Sequence, residues 1–390
     1  MSGKSTFVKI KTSMRNIVLI LLLFLVACTD NIEEKSKPYR AGFQTISFVD
    51  TSRNYKPNTD TTDYLHYRPI DLDVWYPADS LATDTPLLVH DLLGLLEQRA
   101  NYYSASNVGN GITGQLAQYF CNGFKCSDST KLLRFKTNTF KNAPEVKGKF
   151  PLVIYMTAFN GMSYENYSLF ESLAKKGYVV VSISSIGRFP GDMTMKKADL
   201  MEQVNDAVIA LDTLKRNFNI DLDRIGIVGY SWGGLAGAIL AGKIANVKCL
   251  VSLEGSEFHH YGYEKQEDAD FHAITESDDF KTLMLSAPYL RLESAPQDQT
   301  GRKDSVYRFF PKKVNNAQVF AIDSMKHEDF GCFSLIVKKS GNCIEDKRYL
   351  TALHLTLSFL DDHLKNSRSF SSIIKDTNHR ITGFKLKDLP

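Results

Sequence analysis

The chain has 390 residues, 43% of them hydrophobic and 23% charged, with 47 Lys and Arg against 44 Asp and Glu. That composition supports one large core or two small ones. The near-neutral balance, with no basic stripe beyond the N-terminus, excludes a nucleic-acid partner.

Lys4, Lys9, Lys11 and Arg15 form a basic start without an acid, and Ile17–Ala27 is a continuous apolar run that ends at Cys28. The run is too short and too poorly flanked for an ordinary membrane-spanning helix, and it has the length of a secretory signal core. Leu25-Val26-Ala27-Cys28 resembles the lipobox of bacterial lipoproteins. That resemblance implies residues 1–27 as a signal peptide and Cys28 as the lipidated first residue of the mature chain. Its acyl chains would then anchor the protein to a membrane of the cell envelope. Thr29 in place of an Asp favours the outer membrane, and 28–40 reads as a tether. The remaining 41–390 is predicted to be one catalytic domain.

Phe43–Val49 and Ile70–Tyr76 alternate as half-buried strands do. From Leu87 to Ala143 the pattern breaks into mixed apolar and turn-forming runs, which predicts an inserted lid or pocket wall over about 88–143. Pro151–Thr157 is a buried-type strand, 163–176 a helix stopped by Gly177, and Tyr178–Ile183 a further strand. Leu200, Val204, Val208, Leu211 and Leu214 mark one face of a helix. Arg224–Tyr230, Val247–Leu253, Lys281–Ser286 and Ala317–Asp323 predict four strands, and 346–364 a last helix carrying Leu350, Leu353, Leu357 and Leu360. His259–Asp279 is irregular and acidic and is expected to border the mouth of the site. Antiparallel strands feeding a βαβ series predict an α/β fold with a mostly parallel, doubly wound sheet and helices on both faces.

Gly229-Tyr230-Ser231-Trp232-Gly233-Gly234 follows a strand and opens a run of small residues. Strand, sharp turn and helix with a serine at the apex make a nucleophile elbow, and Gly229 and Gly233 supply the clearance the turn needs. A serine nucleophile requires a base held by an acid. Of nine histidines, His327 alone stands a few residues past the last strand and before the terminal helix. His354 and His363 fall on that helix, and His259 and His260 come too early. The acid is Glu254, at the carboxyl end of its strand, or Glu293 after the next one.

Six cysteines are present. Beyond Cys28, export would permit local pairs Cys121–Cys126 and Cys332–Cys343, with Cys249 a buried thiol. No spacing resembles a zinc site, and no metal or organic cofactor is expected.

Ile70–Asp79, Phe150–Tyr155, Gly229–Gly234 and Ser324–Phe330 resemble, in order, motifs of the platelet-activating-factor acetylhydrolase group, which borders the dienelactone-hydrolase-like proteins. The resemblance implies the α/β-hydrolase fold and a triad acid after the strand that follows the elbow, which favours Glu254, although an Asp is usual there. The family carries a His-Gly-x-Gly type loop after the first parallel strand, and this chain has Thr157-Ala158-Phe159-Asn160-Gly161 instead. The oxyanion hole is then expected from the Phe159 and Trp232 amides. The activity implied is serine ester hydrolysis of small-acyl or lipid esters. Acyl transfer, or a binding lipoprotein on a hydrolase scaffold, is the alternative.

Overall fold

A computed structural model describes residues 38–55, 60–63, 65–79, 85–103, 111–125, 128–185, 193–258, 265–294, 310–341, 347–378 and 380–384. The expected signal peptide, Cys28 and most of the tether lie outside the described residues, as do Cys126, His259, His260 and Cys343. From Tyr39 onward the chain makes one compact unit.

Among the described residues eleven strands form one sheet, in the order β11-β10-β9-β8-β7-β5-β6-β2-β1-β4-β3. β1 (Arg40–Asn54) and β2 (Tyr67–Ala78) are antiparallel, and β2 runs antiparallel to β6 (Val179–Ile183). From β6 through β5 (Phe150–Met156), β7 (Ile220–Tyr230), β8 (Val247–Leu253) and β9 (Tyr289–Ser294) to β10 (Ala317–Ile322), every neighbour is parallel. β11 (Ile381–Phe384) closes that edge antiparallel. The strand order reverses around β5, which has β6 on one side and β7 on the other. In sheets of this kind a ligand site forms outside the carboxyl ends of the strands at such a reversal.

The central strands read as continuous apolar runs because both faces are covered. Val153 and Tyr155 of β5 enter one core, while Leu152, Ile154 and Met156 enter the other. The first core lies under α4 (Tyr167–Lys175) and α10 (Lys347–Lys365), and the second under α5 (Lys197–Asn217) and α6 (Trp232–Lys243). Leu152, Val153 and Ile154 are wholly buried, and each such side chain contributes roughly 1.5–3 kcal/mol.

The segment 88–143 holds α1 (Val89–Tyr103), α2 (Ile112–Gly123) and α3 (Ser129–Leu133), and β3 (Pro86–Leu88) and β4 (Lys136–Lys141) knit its ends into the sheet edge. Four expectations are corrected. Lys281–Ser286 is not a strand. α7 (Lys265–Thr275) and α8 (Asp278–Lys281) occupy most of the stretch read as irregular, and the strand begins at Tyr289. On α5, Val208 is exposed, and Gln203 and Asp206 turn inward instead. Asp206 receives Arg68 and Arg53 at 2.7 and 2.6 Å. Finally, Cys121 and Cys332 are free buried thiols, as is Cys249. The run after Cys332 is the helix α9 (Phe333–Ser340), followed after α10 by α11 (Phe370–Thr377).

Candidate active site

β7 ends at Tyr230, and the chain reverses through Ser231 at φ 54°, ψ −120°, a conformation L-residues seldom take. The two glycines explain why the turn can close. A Cβ on Gly229 would lie 2.2 Å from the Gly233 carbonyl oxygen, and one on Gly233 would lie 2.0 Å from that of Met156. The Ser231 N–H donates to Leu253 O at 3.1 Å, and Ser231 O accepts from Gly234 N at 2.9 Å and Ser256 N at 2.8 Å. The elbow is thereby tied to the end of β8, and its hydroxyl stands at the N-terminus of α6.

His327 begins a 3-10 turn, His327–Phe330, after β10. Its Nε2 lies 2.9 Å from Ser231 Oγ, and its Nδ1 lies 3.0 Å from Glu254 Oε2. The tautomer that fits carries its proton on Nδ1, donates to Glu254, and accepts the serine hydroxyl at Nε2. The Tyr230 hydroxyl donates to His327 O at 2.9 Å and so fixes the histidine backbone to the nucleophile strand. Of the neighbouring acids, Asp329 accepts the Lys326 N–H at 3.1 Å and pairs with Arg348 at 2.8 Å.

Glu254 is wholly buried and sits at φ 48° directly past β8. Its Oε1 accepts the Ser294 N–H at 3.1 Å and the Ser294 hydroxyl, so the lone pairs that face away from His327 are also bonded. Glu293 lies inside β9 rather than after it. Its Oε2 accepts from Arg291 Nε at 2.8 Å, and Arg291, itself buried, also donates to Gly255 O at 2.9 Å. The structure therefore brings Ser231, His327 and Glu254 together and places Glu293 in the packing behind them.

The loop after β5 approaches from the other side of the elbow. The Thr157 N–H is taken by Ile183 O and the Ala158 N–H by Glu165 Oε1 at 3.0 Å, while Gly161 N closes a tight turn onto Ala158 O at 2.7 Å. Asn160 supplies the left-handed residue of that turn at φ 53°, a role Asn fills more readily than most residues. The Phe159 and Trp232 amides donate to no acceptor among the described residues. Their rings meet edge to face with centroids 5.9 Å apart. Two unengaged amides, one from each side of the elbow, are what an anionic oxygen beside Ser231 requires.

The comparisons agree with this geometry. The family model of the X-Pro dipeptidyl-peptidases (S15 family) matches residues 135–327, a span that takes in the elbow and ends at the histidine. A ferulic acid esterase from Streptomyces cinnamoneus has the same fold, with a TM-score of 0.57 and 16% identity over 90% of this chain and 98% of that one. No curated protein matches the sequence. The chain is a serine hydrolase of the α/β-hydrolase fold.

In this hydrolase the inserted helices reach the loop after β5 through a contact the sequence does not announce. Arg99 of α1 donates to Ser163 Oγ at 3.1 Å and to both oxygens of the buried Asp73 at 2.8 Å. Below Arg99 a groove of about 620 Å³ opens between α1 and the outer strands, floored by Thr45, Ser47 and Asp71 and walled by Leu95 and Tyr102. Neither Ser231 nor His327 lines it, so it lies beside the chemistry rather than around it.

Proposed function

We propose that this hydrolase is a serine carboxylic-ester hydrolase acting on small-acyl or lipid-like esters through an acyl-enzyme. The observation that carries the reading is the continuous contact from Glu254 through His327 to Ser231, beside two free amides. Ser231 Oγ attacks the ester carbonyl carbon as its proton passes to His327 Nε2. Glu254 stays ionised and holds the imidazolium. The Phe159 and Trp232 amides receive the negative oxygen of the tetrahedral intermediate. Collapse expels the alcohol, which takes the proton from His327, and water repeats the sequence to release the acid. No step calls for a metal or organic cofactor.

The four ordered motifs shared with the acetylhydrolase group support an ester substrate, and the Streptomyces neighbour is named as an esterase. The family model favours a second reading, a peptidase in which the same residues expel an amine. The segment 88–143 serves in either case as the wall of the substrate pocket, since Arg99 joins it to the loop beside the nucleophile. We propose further that lipidated Cys28 holds the enzyme on the outer membrane of a bacterial envelope. The lipobox-like Leu25–Cys28 supports this placement.

The test uses a soluble form starting at Thr29, assayed on short- and long-chain p-nitrophenyl esters and on an X-Pro anilide, beside Ser231→Ala. Ester turnover lost on substitution is the expected result, and preferential anilide cleavage would move the assignment to the peptidase. Equal inertness of both proteins, with no Ser231-dependent fluorophosphonate labelling, would overturn the catalytic reading. For the anchor, Cys28→Ala in the full chain is expected to move the protein out of the membrane fraction.

A further inference from the structure

The loop that presents the Phe159 amide rests on a carboxyl group that the hydrolytic cycle does not use. Glu165 lies just ahead of α4, and both of its side-chain hydrogen bonds fall on one oxygen. Oε1 accepts the Ala158 N–H and the Tyr155 hydroxyl, each at 3.0 Å. Oε2 lies beneath Gly161, 2.5 Å from where a Cβ there would stand, so the loop closes over the carboxyl only because Gly161 has no side chain. The backbone of the same segment grips the other half of the site. Glu165 O accepts the Cys332 N–H at 3.1 Å, and Asn166 Nδ2 donates to Phe330 O at 3.1 Å. Glu165 and Asn166 thus connect the loop after β5 to the turn that carries His327.

Among the described residues no cation is bonded to the carboxyl. Tyr155 faces it from β5, Tyr164 from its own loop, Tyr230 from the nucleophile strand and Cys332 from the start of α9. All four are held above their ordinary values, chiefly by burial, and are neutral in the working range. Arg99 and Asp73, which bond each other, act on Tyr164 together with Glu165, and Glu254, Glu328 and Asp329 act with it on Tyr230. Burial accordingly pushes Glu165 up to about 8, against the opposing pull of the Ala158 amide and the Tyr155 hydroxyl.

We propose that Glu165 is a positioning residue of the oxyanion hole: it fixes the Ala158 amide so that the Phe159 amide is left for the substrate, and its ionisation weakens the hole. The neutral acid still accepts both hydrogen bonds through its carbonyl oxygen. The carboxylate accepts them too, but it brings a negative charge to within one peptide unit of the donor that faces the forming oxyanion. Two like charges this close in a partly shielded site slow the step by roughly 10- to 100-fold. The bound ester carbonyl is neutral and the negative oxygen develops only on the way to the tetrahedral intermediate, so the loss falls on kcat rather than KM. Glu165 is neutral below its raised pKa and charged above it, so activity falls as pH rises through about 8.

This inference rests on the Ser231 reading, and Ser231→Ala tests that reading separately: ester turnover or fluorophosphonate labelling that survives the substitution would remove both. Given Ser231-dependent turnover, kcat and KM are measured from about pH 6 to 10 for the wild type, Glu165→Gln, Glu165→Leu and Tyr155→Phe. The wild type is expected to show an alkaline limb in kcat near pH 8. Glu165→Gln retains an acceptor but cannot ionise, so the limb should vanish and the ratio of kcat at pH 9 to kcat at pH 7 should rise about 5- to 10-fold. Glu165→Leu loses the acceptor and should fall roughly 100-fold below Glu165→Gln at pH 7, with KM little changed. Tyr155→Phe removes a bond that favours the carboxylate, so its limb should move to higher pH. An alkaline limb that persists in Glu165→Gln, or a wild type without one, overturns the proposal. If Glu165→Gln fails to fold by circular dichroism, an unmoved limb in Tyr155→Phe does the same.

Discussion

Replacing Gly233 by alanine would set a methyl carbon 2.0 Å from the Met156 carbonyl oxygen and 2.6 Å from that of Thr157. Both obstacles are backbone at the end of β5, so no rotamer change can relieve them. A carbon normally stands about 3.3 Å or more from a carbonyl oxygen, so α6 and the loop after β5 must separate by about 1 Å. Overpacking of this kind costs about 1–3 kcal/mol, a fall in Tm of roughly 1–4 °C for a domain of this size. The catalytic cost is larger in proportion. Phe159 rides on the β5 side and Trp232 on the α6 side, so their amides part by the same distance, and a 1 Å misplacement costs about 100-fold in rate. Gly114 is the matched control. A Cβ there meets nothing within 4 Å, and alanine inside α2 should add about 0.5–1 kcal/mol of stability while leaving turnover within about twofold. The measurements are kcat on a short-chain ester and thermal unfolding of the three proteins. A Gly233→Ala enzyme with wild-type kcat, whatever its Tm, would refute the claim that these two loops jointly make the oxyanion hole.

Exchanging the two candidate acids should give opposite signatures. Glu254→Gln keeps the shape but favours the wrong imidazole tautomer, and kcat should drop about 10⁴-fold. Glu293→Gln weakens the pairing of buried Arg291 and should cost about 3 kcal/mol in denaturant unfolding with kcat changed less than tenfold; the reverse pattern would make Glu293 the triad acid. Arg68→Met strips one partner from Asp206, which keeps Arg53, and should destabilise the fold by about 2–4 kcal/mol in urea without altering KM. Arg99→Met leaves the buried Asp73 without this cation and Ser163 with only its bond to Asp73, so kcat should fall about tenfold together with stability; unchanged kcat would detach the inserted helices from the site.

The residues of the proposed triad were legible because the chemistry they suit constrains the backbone around them. The elbow needs glycines where Gly229 and Gly233 stand, the base must follow the last parallel strand, and the acid must end a strand at the same edge. Those are rules of chain order, and His327 and Glu254 obey them. What escaped reading shares one cause, which is paired polar groups in places where apolar ones were sought. β9 was displaced by several residues because its interior carries Arg291 and Glu293, which satisfy each other. β4 shows no hydrophobic alternation because its inward positions are Thr137 and Thr139. The Thr139 hydroxyl donates to Glu171 at 2.8 Å and accepts the Trp75 indole at 3.2 Å. On α5, Asp206 and Gln203 occupy the buried stripe assigned to Val208; Gln203 Nε2 donates to Thr157 O at 3.1 Å and so steadies the root of the oxyanion loop. Glu165 and Arg99 were invisible for the same reason, since a lone acid or base in sequence carries no mark of the partner that folding brings to it.

The backbone adds a property that side-chain reading does not reach. Each of the four loops that build the site holds one non-glycine residue at positive φ: Asn160 beside the oxyanion amide, Ser231 at the nucleophile, Glu254 at the acid and Ser324 ahead of the histidine, with φ of 53°, 54°, 48° and 56°. Elsewhere Asn142, Asn246 and Asn366 do the same, as do Lys125 and Arg368 in turns away from the site; asparagine visits this region readily. Serine and glutamate do not, and each costs about 1–3 kcal/mol unless its surroundings hold it. Here they do: Leu253 O, Ser256 N and Gly234 N bond the Ser231 backbone, and Leu292 O accepts the Glu254 N–H at 2.7 Å. Two of the three strained residues at the site therefore carry the proposed chemistry in their own side chains and could not be exchanged for glycine without losing it, and the cost is borne by the parallel strands that end beneath them. Ser324 has no such duty. Its geometry sets where His327 enters the site, and that is the one loop in which the strain can be relieved without touching a reacting atom.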